Sequence, residues 1–224
     1  RRLGAPTCAV IPSGKYAELP IDELIIVTGY CHESVEEWVR TCTSSLPVRT
    51  VYNPCYDTLN NGHSLLVARD MIGASDFLKF DGDLLVDTSV LHDLVAAPAP
   101  TALVLDDSAQ LADEEMKVTI GEGDRVSGLG KWLPAAKCQG ESIGVEKIGA
   151  EQSPALFAAI ERIVHLEGRG DAYYEDAYHD LRLITRDGAA YATLVHSRVD
   201  PARVIRMLEV RALLARAGSQ YQLE

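Results

Sequence analysis

The chain has 224 residues, of which 47% are hydrophobic and 24% charged, and its formal net charge is −12 at pH 7. These values are typical of an ordinary soluble globular protein with one large domain or two small ones. The negative charge argues against a surface for nucleic acid or for an anionic membrane, and no apolar run reaches the length of a membrane span.

Apolar runs and turn residues predict alternating strands and helices. Strands are predicted at residues 8–15, 21–30, 47–53, 76–85, 101–107, 140–149 and 189–195, with a hairpin at 116–133. Helices are predicted at residues 32–42, 64–72, 88–97, 153–168, 173–188 and 200–218, the third of them capped by Thr88 or Ser89. This alternation predicts a single α/β domain over residues 1–224, with a Rossmann-like, doubly wound, mostly parallel sheet. The hairpin is predicted to form a small antiparallel insert over about residues 113–133.

Two carboxylates one residue apart follow a short apolar strand, in the segment Phe80-Asp81-Gly82-Asp83. Side chains i and i+2 face the same side of a strand, so Asp81 and Asp83 are expected to lie together. In open α/β sheets, ligands collect at the carboxyl ends of strands. Two acids there repel unless a cation lies beside them, and Mg²⁺ binds one or two carboxylates together with phosphate oxygens. The alternative is a pair of solvated acids at a strand end.

Two turns at element ends combine glycine with polar residues. The predicted strand at 21–30 ends in Gly29 and Tyr30, and glycine lets another group approach the backbone closely. The turn Asn60-Asn61-Gly62-His63-Ser64 lies at the entrance of a helix, and asparagine offers both hydrogen-bond donors and acceptors. A strand-end turn and an Asx-rich helix entrance are the structural alternatives.

Several motifs together resemble the cytidylyltransferase branch of the nucleotidyltransferases, which includes phosphocholine, inositol-1-phosphate and phosphonate cytidylyltransferases. In chain order they are RLG at Arg2–Gly4, VTGYCHE at Val27–Glu33, NNGHSL at Asn60–Leu65, FDGD at Phe80–Asp83, DEEMKV at Asp113–Val118, GKWL at Gly130–Leu133, GESIG at Gly140–Gly144, YYED at Tyr173–Asp176 and RVDP at Arg198–Pro201. The resemblance implies the nucleotidyltransferase fold and an enzyme that transfers CMP from CTP to a small phosphonate or phosphoalcohol, releasing pyrophosphate. It also implies Mg²⁺ as the cofactor and no protein nucleophile, so that catalysis rests on positioning and charge neutralisation.

The resemblance implies roles for particular residues. The implied metal ligands are Asp83 and Asp200, with Asp81 in support. The implied nucleotide-binding residues are Arg2, Leu3, Gly4, Gly29, Tyr30, Asn60, Asn61, Ser64 and Asp81. The implied acceptor-binding residues are Lys117, Lys131, Glu141, Tyr174, Glu175 and Asp176. The implied catalytic residues are Arg2, Asp83, Lys117 and Lys131.

Ordinary structural roles stay open for several of these residues. Asp200 is also placed to cap a helix, and Glu175 and Asp176 are also placed to occupy the first turn of another. Lys117 is equally consistent with an exposed lysine of the hairpin, and Arg2 with a basic chain terminus.

The first thirty residues depart from the family pattern. Glycines expected before Arg2 and a lysine expected just before Cys8 are absent, and only Tyr16–Pro20 separates two strands that a parallel sheet would join by a longer crossover. We expect a longer form of the sequence to carry extra residues before Arg1, between Thr7 and Cys8, and between Lys15 and Tyr16. Without such residues the triphosphate site is incomplete, and a catalytically inactive nucleotide-binding domain is the alternative. A sugar-1-phosphate nucleotidyltransferase is the alternative within the same fold.

The expected partners are CTP and a small phosphorylated or phosphonate acceptor, with neither nucleic acid nor a membrane among them. The residues leave the oligomeric state open, a homodimer included. Five scattered cysteines, never spaced as CxxC, indicate free thiols in a reducing compartment and so predict a cytoplasmic protein.

Overall fold

The computed structural model of the chain describes residues 19–41, 46–122, 125–184 and 204–206. The strands within these ranges are β1 (Leu24–Thr28), β2 (Val48–Tyr52), β3 (Phe77–Phe80), β4 (Leu84–Val86), β5 (Ala102–Asp106), β6 (Lys117–Ile120), β7 (Val126–Leu129), β8 (Gly140–Ile148) and β9 (Val204–Arg206). The α-helices are α1 (His32–Thr41), α2 (Asn61–Val67), α3 (Arg69–Ile72), α4 (Thr88–Ala96), α5 (Ser153–Glu161) and α6 (Tyr174–Ile184). A 3-10 turn at Ala135–Lys137 follows the hairpin, and a π-helical turn at Arg162–Leu166 extends α5.

Strand β8 is the centre of a five-stranded sheet. Its nine residues pair antiparallel with β5 along one edge and with β3 and β6 along the other. The β6–β7 hairpin continues this sheet, so the antiparallel insert expected at 113–133 is joined to the main sheet. Strands β1 and β2 form a separate parallel pair, and β4 pairs antiparallel with β9.

The α/β fold class is confirmed, but the described strands do not form a mostly parallel sheet. Among them, β1 and β2 make the parallel ladder and the other ladders are antiparallel. Three of the antiparallel ladders belong to β8, which runs opposite to β3, β5 and β6. Apolar periodicity identifies a strand but says nothing about the direction in which a distant strand enters the sheet.

Helix starts are set by side chains that differ from those expected. Asn60 caps α2, so the helix expected at 64–72 begins earlier than its predicted start. Asp87, and not Thr88 or Ser89, caps α4, because its carboxylate accepts a hydrogen bond from the Ser89 N–H at 2.9 Å.

The end of the described chain corrects another prediction. A helix was expected over 200–218, but Val204–Arg206 is a strand that pairs with β4, so the prediction is wrong at these three residues. β-branched side chains such as Val204 and Ile205 favour strands, and β4 supplies the pairing partner. The strands expected at 8–15 and 189–195, and the rest of the expected final helix, lie outside the described residues.

The central sheet packs on both faces. Alternate residues of a strand face opposite sides, so Val104 and Val145 pack against α4, whereas Ile148 packs against α5 and α6. Glu146 has the same orientation as Ile148 and is 1% exposed, which places a carboxyl group in the layer beneath α6. Within the described ranges, no helix combines the length and the apolar character needed to cross a membrane.

Candidate active site

A cavity of about 1460 Å³ is lined by β1, the segment that leads into α2, and the turn after β3. Its apolar part follows consecutive residues of β1 and β3. Its polar part includes seven residues that the sequence predicted to bind the substrates: Tyr30, Asn60, Asn61, Ser64, Asp81, Asp83 and Tyr174. Six other predicted residues do not line it: Gly29, Lys117, Lys131, Glu141, Glu175 and Asp176. The fold therefore gathers two segments around one cavity. We call them the asparagine turn (Asn60–Ser64, at the start of α2) and the aspartate turn (Asp81–Asp83, after β3).

Two asparagine side chains tie the start of α2 to the start of α6. Asn60 uses both ends of its amide, because Oδ1 accepts from the Asn61 N–H at 2.8 Å and Nδ2 donates to the Asp171 carbonyl at 2.9 Å. Asn61 Oδ1 accepts from the Tyr174 N–H at 3.0 Å. Asn61 Nδ2 has no acceptor among the described residues, and Asn61 lines the cavity. The Tyr174 N–H fixes the orientation of the Asn61 amide, and the Nδ2 donors are left for a ligand.

The buried side chains of Asn53 and His63 support the asparagine turn through hydrogen bonds. His63 Nδ1 lies 3.1 Å from Asn53 Oδ1, and Asn53 Nδ2 donates to Ser64 Oγ at 3.0 Å. Burial, followed by the neighbouring His165, lowers the pKa of His63 below its ordinary value. Because Ser64 Oγ accepts the bond from Asn53, its own proton is available to a ligand.

Gly29 has a packing role in the structure. A Cβ atom at Gly29 would lie 2.5 Å from Tyr56 Cβ, so only glycine lets Tyr56 approach this closely. Tyr56 and Tyr30 both line the cavity, and Tyr30 is 62% exposed. The two tyrosines thus line the cavity whereas Gly29 does not, and a contact of the Gly29 backbone with a base stays a prediction.

The two aspartates of the turn after β3 have different surroundings. The Asp81 N–H donates to the Gly144 carbonyl at 2.9 Å, and Lys79 Nζ donates to Asp81 Oδ1 at 2.6 Å. The Asp83 carboxylate has no hydrogen-bond or ion-pair partner among the described residues, and Asp83 lines the cavity. Asp81 is thus held by the protein, whereas no described residue holds the Asp83 carboxylate.

Gly144 shapes the aspartate turn, and its substitution is expected to disrupt it. Its φ is +77°, and a Cβ atom there would collide with the Asp81 carboxylate. Gly144→Ala is expected to reduce the free energy of unfolding by about 2–4 kcal/mol, since backbone strain and steric overlap add. The matched control is Gly168→Ala, where φ is +70° and nothing lies within 4 Å of the added Cβ. Chemical denaturation should show a smaller loss for the control, of about 1–2 kcal/mol, and equal losses would contradict the role of Asp81.

A buried ionic cluster lies behind Asp81, and the sequence analysis missed it. Lys79 is 9% exposed and donates to Asp81 and to the Tyr174 hydroxyl. The Tyr174 and Tyr178 hydroxyls donate to the two oxygens of Glu146 at 3.1 and 2.7 Å. Glu146 lies opposite Lys79 in the β3–β8 ladder. The signal that could have identified the cluster is the presence of charged residues inside these strands, Lys79 in FLKF and Glu146 in GESIGVEKI.

Glu175 completes the cluster. It is 5% exposed, and its Oε2 has no hydrogen-bond partner among the described residues. Burial raises the pKa of Glu175 to about 8, with Lys79 opposing the rise and with Glu146 and Asp81 adding to it. Burial also raises the pKa of Glu146, against the attraction of Lys79. The raised pKa favours the protonated form of Glu175 at neutral pH.

The two lysines expected to bind the acceptor line a second cavity of about 530 Å³. Lys117 is 2% exposed, and its ammonium donates to three backbone carbonyls of the preceding loop at 2.7–3.4 Å. Lys131 Nζ lies 3.3 Å from Glu114 Oε2 and 5.0 Å from the centre of the Tyr173 ring. Because Glu114 and Tyr173 also line the main cavity, Lys131 is the better placed of the two to reach a ligand there.

The remaining acceptor-binding predictions fall on residues with visible structural roles. Glu141 is 8% exposed and pairs with Lys117 in the β6–β8 ladder. Asp176 accepts a hydrogen bond from the Tyr173 N–H at 3.2 Å and forms an ion pair with Arg169 at 3.0 Å. Their contacts with an acceptor stay predictions.

Part of the predicted site lies outside the described residues, namely Arg2, Leu3, Gly4 and Asp200. Within the described ranges, no three Asp, Glu, His or Cys side chains come together as a metal centre.

Part of the chain matches one protein family and one relative of known name. Residues 15–102 match a family described as a domain of unknown function, DUF6564. The chain is also similar to a CMP-5'-(3-aminopropyl)phosphonate synthase from Streptomyces rubellomurinus, with 31% identity over 90 residues. This match covers 40% of the chain but only 14% of that much longer relative.

Solved structures of nucleotidyltransferases are similar over most of the chain. The inositol-1-phosphate CTP transferase from T. maritima has a TM-score of 0.61 and 14% identity, with 81% of this chain and 69% of that chain covered. The CTP:phosphocholine cytidylyltransferase from Streptococcus pneumoniae has a TM-score of 0.64 and 18% identity, with 91% and 82% covered. A UDP-glucose pyrophosphorylase from Acinetobacter baumannii has a TM-score of 0.62 and 16% identity, with 90% and 77% covered. The chain therefore has the nucleotidyltransferase fold, as the motifs implied.

Proposed function

We propose that the chain is a magnesium-dependent cytidylyltransferase that transfers CMP from CTP to a small phosphonate or phosphoalcohol. The proposal rests on one observation, that Asn61, Ser64 and Asp83 line the same cavity. An oxygen of the acceptor's phosphoryl group attacks the α-phosphorus of CTP, and the bond to the leaving pyrophosphate breaks. No protein nucleophile is needed, so the chain's residues bind, orient and neutralise charge.

The fixed orientation of Asn61 favours cytosine over uracil. Its Oδ1 accepts the Tyr174 N–H, which fixes the amide so that Nδ2 is left to donate to a ligand in the cavity. Both bases carry an acceptor at O2, but N3 is an acceptor in cytosine and carries a proton in uracil. The proposed donor is directed at N3, where it pairs with cytosine and opposes the proton of uracil.

Asn61→Asp is expected to lower kcat/KM for CTP about 100-fold and to raise the UTP/CTP ratio. The substitution keeps the oxygen that accepts the Tyr174 N–H and replaces the donor with an acceptor. Steady-state pyrophosphate release with each nucleotide measures the ratio. Gln110→Glu makes the same amide-to-acid change at an exposed position outside the cavity and should leave both values unaltered. An unchanged ratio in Asn61→Asp would assign base recognition to other residues.

The charge of the cavity favours a cation as cofactor. Its lining has more carboxylates than ammonium groups, namely Asp22, Glu23, Asp57, Asp76, Asp81, Asp83, Glu114 and Asp171 against Lys79 and Lys147. A triphosphate would be repelled there unless a cation accompanied it. Asp83 is the described residue that would hold Mg²⁺, and Asp200 is the second proposed ligand. When bound, the ion would neutralise charge on the phosphates.

Lys131 is the proposed contact for the acceptor's phosphoryl group. Its ammonium lies beside Glu114 and Tyr173 at the edge of the cavity, whereas the Lys117 ammonium is taken up by backbone carbonyls. The partial likeness to a CMP-5'-(3-aminopropyl)phosphonate synthase supports a phosphonate as the acceptor.

Pyrophosphate release from CTP with a panel of acceptors tests the proposal. The panel contains an aminoalkylphosphonate, phosphocholine, a polyol phosphate and glucose-1-phosphate, each with CTP and with UTP. Turnover of one of the first three with CTP is expected. Turnover of glucose-1-phosphate alone would favour a sugar-1-phosphate nucleotidyltransferase, to which the UDP-glucose pyrophosphorylase likeness points. Nucleotide binding without any turnover would favour an inactive nucleotide-binding domain.

A further inference from the structure

Tyr174, the first residue of α6, contacts both turns of the site through different atoms. Its backbone N–H donates to Asn61 Oδ1 at 3.0 Å. Its hydroxyl accepts from Lys79 Nζ and donates to Glu146 Oε1 at 3.1 Å. Lys79 in turn holds the Asp81 carboxylate at 2.6 Å. A continuous chain of hydrogen bonds therefore runs from the asparagine turn to the aspartate turn through one residue.

We propose that Tyr174 is a positioning residue that fixes these two turns relative to each other. The inference rests on the proposed function, because it assigns the base to one turn and the phosphates to the other. A nucleotide spans both, so an error in their separation displaces the α-phosphorus from the acceptor. A misplacement of about 1 Å can cost about 100-fold in rate.

The surroundings of Tyr174 fit positioning rather than direct contact with a substrate. The residue is 1% exposed, and its hydroxyl has a donor in Lys79 and an acceptor in Glu146. Burial raises the pKa of Tyr174 well above its ordinary value, with Asp81 and Glu146 adding to the rise, so the hydroxyl keeps the proton that it donates. The hydroxyl is therefore fully used in holding two charged neighbours.

Loss of the Tyr174 hydroxyl would allow the aspartate turn to shift but would leave the asparagine turn in place. The Lys79 ammonium donates to Asp81, to Tyr174 and, at 3.5 Å, to the Gly144 carbonyl, which accounts for its three protons. Without the hydroxyl, one Lys79 proton and one Glu146 oxygen lose their partner, and Lys79 can move toward Glu146 and take Asp81 with it. The backbone N–H that orients Asn61 is unaffected by this change.

Tyr174→Phe and Tyr178→Phe form a matched pair for the test. Each removes one hydroxyl from Glu146, but only Tyr174 contacts Lys79. Tyr174→Phe is expected to lower kcat with CTP about 100-fold and to leave the CTP/UTP ratio unaltered. Tyr178→Phe is expected to stay within about threefold of the unaltered protein. Equal kcat values for the two variants, or a changed CTP/UTP ratio in Tyr174→Phe, would overturn the positioning role.

A double-mutant cycle separates this inference from the proposed function. Lys79→Met and Tyr174→Phe, alone and combined, are compared by the midpoint of chemical denaturation, which requires no catalytic activity. Non-additive shifts are expected because the two side chains are in contact, and additive shifts would overturn the inference. If the shifts are non-additive but the unaltered protein turns over no nucleotide, the proposed function alone fails.

Discussion

Asp83→Asn is expected to reduce nucleotidyl transfer at least about 1000-fold while leaving the fold intact. Neutralisation of phosphate charge by a bound metal ion contributes several kcal/mol to transition-state stability, and a 1000-fold loss corresponds to about 4 kcal/mol. Asp83 lines the cavity, and no described residue forms a hydrogen bond or ion pair with its carboxylate. The substitution therefore removes the proposed ligand for the cation without breaking a described contact that holds the turn.

Two measurements check this result. Pyrophosphate release is followed at saturating Mg²⁺ and CTP, and the denaturation midpoint shows whether the fold has changed. Asp70→Asn is the matched control, because its side chain is 93% exposed and lies outside the cavity, so activity should be retained. Near-normal turnover by Asp83→Asn under these conditions would remove Asp83 from the metal site.

Glu175→Gln is expected to stabilise the protein, increasingly so as the pH rises from 5 to 8. The pKa of Glu175 is about 8 in the folded chain against an ordinary value of 4.5. A carboxyl with a raised folded-state pKa contributes stability that is complete below the ordinary pKa and is lost as the pH rises through the folded pKa. Over this range the folded chain holds a proton that the unfolded chain releases, at about 1.4 kcal/mol per pH unit. Glutamine cannot ionise and removes this dependence.

The advantage of Glu175→Gln over the unaltered protein should grow by about 3 kcal/mol between pH 5 and pH 8. The charged neighbours that act on Glu175, namely Lys79, Glu146 and Asp81, remain in both proteins, so the difference in stability reports mainly on Glu175. Chemical denaturation at each pH gives the free energies of unfolding. Glu151→Gln removes an exposed carboxyl and should show no such trend. A difference that stays constant within about 0.5 kcal/mol would mean that Glu175 is ionised in the folded protein.

The sequence predicted which polar residues lie around one cavity better than it predicted how the strands are arranged. Asn60, Asn61, Ser64, Asp81 and Asp83 were predicted from polar turns at element ends, and all of them line one cavity. Local chemistry made this possible, since a turn after an apolar strand and the entrance of a helix are visible in a few consecutive residues. The nucleotidyltransferase fold was also predicted, because several motifs occurred in the expected order.

Long-range pairing accounts for what the sequence could not predict. The antiparallel course of β8 depends on strands far from it along the chain, and no local pattern records that direction. The cluster of Lys79 with Glu146 has the same origin, because the two residues become neighbours only through the β3–β8 ladder. Lys117 was predicted to bind the acceptor from its type and motif, but its buried contacts with carbonyl groups depend on the fold of the preceding loop.

The central position of β8 sets the order in which the chain can fold. Phe77 pairs with Ile148, about 70 residues later, and Ala102 pairs with Lys147 on the opposite edge. Closing segments of this length costs conformational entropy before any ladder hydrogen bond forms, which slows folding. During synthesis, β3 and the aspartate turn stay without their partner strand until β8 has left the ribosome. The arrangement of the aspartate turn is therefore acquired late, after α1, α2, α3 and α4 have had time to form.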